Sequence, residues 1–170
     1  MVAKRKRKST KYPINEGRLL SAIIVPEMLD VALSLAIAKE IGATTQACWY
    51  HALRAFFASE KLQTGWYVEG FAIPDQIKPQ ATFEHGWLER SDGSIIDPAW
   101  ALLGNKKVDY FPGVSYTYAH AASLAKGKKG VLLPLISQKY ADPFDHPAYF
   151  HAYKQSFKAA TGYLPTECQV

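Results

Sequence analysis

The stretch Phe83-Glu84-His85-Gly86-Trp87-Leu88-Glu89-Arg90-Ser91-Asp92-Gly93-Ser94-Ile95-Ile96-Asp97-Pro98 decides how this chain is read. Ala81–Arg90 and Ser94–Asp97 read as two strands of a hairpin, with turn residues between them. A two-residue loop at Asp92-Gly93 would pair Leu88 with Asp97 and point Asp97 away from His85. A three-residue loop, Ser91-Asp92-Gly93, pairs Arg90 with Ser94 and Trp87 with Asp97 instead. His85 and Asp97 then become diagonal neighbours on one sheet face, roughly 7–8 Å apart between backbones. Three-residue hairpins commonly end on a glycine in the left-handed region, and Gly93 stands in that place. The three-residue register is therefore the expected one.

Outward from the hairpin, Pro26–Ile41 reads as a helix through Met28, Leu29, Val31, Ala32, Leu35, Ala36 and Ala38. Pro26 suits its first turn and Gly42 its end. A second helix is expected from about Gln46 to Lys61, with Thr44 or Thr45 as its N-cap. Trp66–Ile73 reads as a strand and Val108–Phe111 as a further short one. Tyr116–Lys126 and Pro147–Thr161 read as helices. Helices, then antiparallel strands, then helices again argue for an α+β fold, helices packed on an antiparallel sheet. A length of 170 residues suits a single domain with its own core.

The net charge of +5 has to be located before it is interpreted. Lys4, Arg5, Lys6, Arg7, Lys8 and Lys11 all precede the first acid, Glu16. The remainder sets 14 of the 20 basic residues against 15 acidic ones, so the body is nearly neutral. Residues 1–12 read as a disordered basic arm and 13–170 as the folded domain. The arm predicts at most a weak contact of residues 1–11 with polyanions. No apolar run approaches the ~20 residues of a membrane span, so no membrane partner and a cytoplasmic location are expected.

Two cysteines, Cys48 and Cys168, are too few for a disulfide framework and lack zinc spacing. Cys48 is the chemically interesting one. It stands where the second helix should begin, and the unpaired N–H groups of a first helical turn favour negative charge. A thiol there is biased toward the attacking form. His85 then supplies an imidazole and Asp97 a carboxylate to orient it. These are the three groups that cysteine-dependent acyl transfer requires. Gln46, with the backbone N–H of Cys48, is a candidate oxyanion donor. Trp49 and Trp87 are candidate walls of the site, and Glu69 is a candidate substrate contact inside an apolar strand. His51, one helical turn from Cys48, is the rival base. Asp142, Asp145, His146 and His151 form a loose acid–histidine group in turn-like sequence.

Taken together, Cys48-Trp49, His85-Gly86-Trp87 and Asp97-Pro98-Ala99-Trp100 resemble the transglutaminase-like branch of the papain-like cysteine enzymes. Tyr67-Val68-Glu69-Gly70 resembles the strand that precedes the histidine strand in such domains. The resemblance covers about residues 42–101. It implies a papain-like core with Cys48 as nucleophile, His85 as general base and then acid, and Asp97 as orienter. It also implies action on a peptide, protein or small amide, without a cofactor. The segment between Cys48 and His85 is compact, and the extra domains of large calcium-dependent transglutaminases are absent. The expected activity is therefore protease, amidase or protein deamidase/transglutaminase chemistry through a thioester. Two alternatives are a non-catalytic binding module on the same fold and a nucleic-acid-associated protein that uses the basic arm.

Overall fold

Four antiparallel strands form one sheet in the computed structural model of the chain, which describes residues 29–77, 81–105, 107–126 and 134–165. The strands are β1 (Trp66–Pro74), β2 (Phe83–Glu89), β3 (Ile95–Ile96) and β4 (Val108–Tyr116), in the spatial order β3-β2-β1-β4. Six α-helices accompany them among the described residues: α1 (Val31–Ile41), α2 (Cys48–Ala58), α3 (Pro98–Leu102), α4 (Tyr118–Ala125), α5 (Ile136–Lys139) and α6 (Pro147–Thr161). The expected α+β class is the observed one. The basic arm and the domain boundary near residue 13 lie outside the described residues, as does Cys168. No helix among the described residues is long and apolar enough to cross a membrane.

The central hairpin has the three-residue register. Leu88 pairs with Ile96 and Glu89 with Ile95. The Arg90 N–H donates to the Ser94 carbonyl at 2.9 Å, and Gly93 sits at φ 85°. Glycine carries that angle without the Cβ clash that other residues meet there. Asp92 caps the turn by accepting from the Ser94 N–H and hydroxyl.

Strand alternation divides the buried residues between two faces. One face holds Val68, Ala72, Phe83, Trp87, Ile95 and Tyr110, with Trp100 of α3 packed against it. The other holds Tyr67, Leu88 and Ile96 against α1 and α2, and Phe71 and Phe111 against α5 and α6. His85 pairs with Gly70 and so shares the first face.

Three boundaries differ from the sequence reading. Leu29 and Asp30 are not helical. Leu29 bridges to Ile95, the Asp30 N–H donates to the Ile95 carbonyl, and the Asp30 side chain caps α1 on Leu33 N. Strand β4 runs to Tyr116, past Pro112 and Gly113, through an irregularity opposite Glu69 and Gly70. Helix α4 therefore starts only after Thr117, whose hydroxyl accepts from the His120 N–H. Helix α2 ends at Ala58, and Glu60–Leu62 form a separate 3-10 turn.

Candidate active site

Asp97 is the most heavily used side chain at the end of the hairpin. It is completely buried. Oδ1 accepts from the Ala99 and Trp100 N–H groups, both at 3.1 Å, and so caps α3. Oδ2 accepts from His85 Nε2 at 2.6 Å and from the Tyr110 hydroxyl at 2.9 Å. The backbone N–H of Asp97 donates to Ser34 Oγ of α1 at 3.0 Å. The Asp97-Pro98 pair is therefore both a helix start and an imidazole partner. One oxygen serves each role.

A carboxylate only accepts, so Nε2 of His85 carries the proton in this bond. Nδ1 is left as the ring nitrogen for any further partner. His85 is 3% exposed, lying at 16° to the Trp87 ring and 5.0 Å from the Trp100 ring. Burial pulls its pKa down. The Asp97 charge and hydrogen bond outweigh that, Cys48 adds to them as hydrogen-bond partner and charge, and the imidazole is pushed up to about 10. Cys48 and Asp97 thus both act on this one ring.

Cys48 is half-buried at the first position of α2. The expected Thr44 or Thr45 cap is absent. The N-cap is Ala47, held at φ 61° and ψ 51°, and no side chain caps the first turn. Ala47 is the sole non-glycine residue with positive φ among the described residues. Such a conformation costs an L-residue about 1–2 kcal/mol. His51 explains how the turn is kept. Its Nε2 accepts the Thr44 N–H at 3.1 Å and also lies 3.1 Å from the Thr44 hydroxyl. His51 is buried, and burial followed by Arg54 lowers its pKa. Its accepting nitrogen is committed to the loop before the thiol, so His51 acts as a brace there rather than as a rival base.

Gly86 lets α2 come close to the sheet. A Cβ on Gly86 would fall 2.6 Å from Trp49 Cδ1 and 3.2 Å from Trp49 Cα. Trp49 therefore packs across β2 beside the thiol.

Three other candidates have different roles from those expected. Glu69 is bonded inside the fold. It is fully buried on the sheet face opposite His85, accepting from Tyr67 OH at 2.7 Å, Leu135 N at 2.5 Å and Ile136 N at 2.8 Å. It fastens the start of α5 to β1. Burial raises its pKa to about 7 even though all three donors favour the charged form. Trp87, 1% exposed, is core and backs His85 and Tyr110 rather than lining a surface. Gln46 is exposed in the loop before Ala47, and its backbone carbonyl accepts from the Thr44 hydroxyl at 3.4 Å. The Asp142, Asp145, His146 and His151 group is spread out. Asp142 caps a 3-10 turn, His146 precedes α6, and His151 bonds Gln155. Among the described residues, no set of three or more His, Cys, Asp or Glu side chains is arranged to hold a metal ion.

The sequence reading did not single out Tyr110 or Ser34, which hold Asp97 from β4 and α1. The available signal was indirect: Gly70 and Ala72 leave β1 nearly bare on the face where Tyr110 and Trp87 lie. Comparison of the chain with family models, with curated proteins and with solved structures found no match. The arrangement itself offers a thiol at a helix start without a side-chain cap, a buried imidazole whose proton affinity that thiol raises, and a carboxylate bonded to Nε2 of the imidazole.

Proposed function

We propose that this protein is a cysteine-dependent acyl-transfer enzyme acting on amides, built on a papain-like, transglutaminase-like core. The observation that carries the reading is the buried His85, bonded through Nε2 to Asp97 at 2.6 Å and raised in proton affinity by Asp97 and then Cys48. Asp97 raises the proton affinity of the ring, so a proton shared between thiol and imidazole rests on the imidazole. It then holds that proton as imidazolium until the leaving amine takes it. The sulfur attacks the amide carbon and a C–S bond forms. The C–N bond breaks and the amine departs with the proton from His85. Water, or a second amine, then gives a proton to His85 and attacks the thioester carbon; the C–S bond breaks and the sulfur takes that proton back from His85.

Two further features support this reading. The first turn of α2 has no side-chain cap, so the N–H of Cys48 is free of one to meet the oxyanion that forms on the amide oxygen. The left-handed Ala47 immediately before the thiol is backbone strain of the kind that clusters at functional sites.

The test is mass spectrometry of a cell lysate and of peptide libraries treated with the protein or with Cys48→Ala. Amides cleaved, deamidated or crosslinked only by the wild type are the expected result. His85→Ala should be nearly as inactive as Cys48→Ala. Equal product patterns from wild type and folded Cys48→Ala would reject the mechanism.

A further inference from the structure

The hydroxyl of Tyr110 reaches Asp97 from the far side of the sheet. Tyr110 lies on β4, at one edge, while Asp97 follows β3, at the other. The reach is possible because β1 carries small residues between them. Tyr110 pairs with Ala72, and Trp87 Cη2 lies 3.1 Å from where a Cβ on Gly70 would be. The Tyr110 and Trp87 rings pack at 5.0 Å, and the phenol arrives 2.9 Å from Oδ2 of Asp97. That oxygen already accepts the Nε2 proton of His85, whereas Oδ1 takes only the cap bonds of α3.

We propose that Tyr110 is a positioning residue for His85: by sharing Oδ2 of Asp97, its hydroxyl sets how tightly that oxygen holds the Nε2 proton. Two donors on one oxygen draw on the same negative charge, so each weakens the other's bond. Tyr110 stays a pure donor, because burial and then the Asp97 charge raise its own pKa well above the ordinary phenol value. Without the hydroxyl, Asp97 grips the His85 proton more strongly. The imidazolium then becomes a poorer acid toward a leaving amine. The catalytic consequence rests on the acyl-transfer reading above. The hydrogen-bond consequence rests on the geometry alone.

The experiment reads the downfield proton resonance of His85 Nε2–H in the full chain at neutral pH, assigned by its loss in His85→Ala. Tyr110→Phe keeps the ring against Trp87 and should move that resonance further downfield. Replacing Tyr110 with 3,5-difluorotyrosine keeps the side chain in place and makes the hydroxyl a stronger donor. It should move the resonance upfield, and it guards against a Phe variant that fails to fold. Ser34→Ala, which removes the acceptor for the backbone N–H of Asp97 and not a donor to its Oδ2, should leave the resonance where it is. On an amide substrate, Tyr110→Phe should lower kcat several-fold at unchanged KM. A resonance unmoved by the changes at position 110, or moved equally by Ser34→Ala, overturns the proposal. The expected shifts in a protein without any amide turnover would uphold Tyr110 and reject the enzymatic reading instead.

Discussion

Asp97 and Glu69 are both completely buried carboxylates, each accepting two backbone N–H groups at a helix start and one tyrosine hydroxyl. They lie on opposite faces of the same sheet. The difference is His85. Asp97 has an imidazole at 2.6 Å, and its charge and hydrogen bond outweigh burial and push the ring's pKa up to about 10. Glu69 has no cation among its hydrogen-bond partners, and burial lifts it to about 7 against three favourable donors. Hydrogen bonds alone make a structural joint. The same bonds plus a titrating partner make a group that can do chemistry. A buried acid in this chain is therefore judged by the group beside it, not by its burial.

The largest expected contrast between the two is catalytic. Asp97→Asn puts an amide where Oδ2 accepts two donors. By analogy with other triads, turnover should fall roughly 10³- to 10⁴-fold. Glu69→Gln should leave the rate of the folded enzyme near wild type. Initial rates on one amide substrate compare them, and equal losses would erase the distinction.

The second contrast is in the pH dependence of stability. A carboxyl raised from 4.5 to about 7 contributes stability that is full below 4.5 and lost as pH rises through 7. The upper bound is on the order of 3 kcal/mol. His85, raised from 6.5 to about 10, contributes stability that is full below 6.5 and lost as pH rises through 10. Denaturant titrations of wild type minus Glu69→Gln should show a slope between pH 4.5 and 7 and little beyond. A slope confined to higher pH would contradict this assignment.

At pH 7, Glu69→Gln should lower the unfolding free energy by roughly 1–3 kcal/mol, because Gln has one acceptor oxygen for two buried backbone donors. Chemical denaturation measures it. The smallest effect should come from Tyr67→Phe, which removes one donor from Glu69. A loss of about 1 kcal/mol is expected in the same denaturation experiment. A loss as large as that of Glu69→Gln would show that the hydroxyl, not the two backbone donors, dominates the joint.

What the sequence disclosed follows from how far apart the interacting residues are. The hairpin is local, so loop length and Gly93 were enough to set its register and bring His85 and Asp97 to one face. The start of α2 was misread because the cap rule looks for Ser, Thr, Asp or Asn just before the helix. Here the loop is held instead by His51, seven residues beyond Thr44. The internal bonds of Glu69 were not legible because its two backbone donors stand 66 and 67 residues away, invisible to any local pattern. Tyr110 was missed for a related reason: an alternating strand says which residues share a face, but not which ring crosses two neighbouring strands to meet a carboxylate.

Asp97 also sets an order of events. Through its side chain and backbone N–H it joins α1 at Ser34, β2 at His85, its own helix α3, and β4 at Tyr110. The full set of bonds to Asp97 is complete only when all four pieces have docked. On the acyl-transfer reading proposed above, the thiol would gain a fully braced imidazole only at that stage, after the amides of neighbouring chains have been buried. In a refolding time course, rapid labelling of Cys48 should appear together with the last structural phase and not before it.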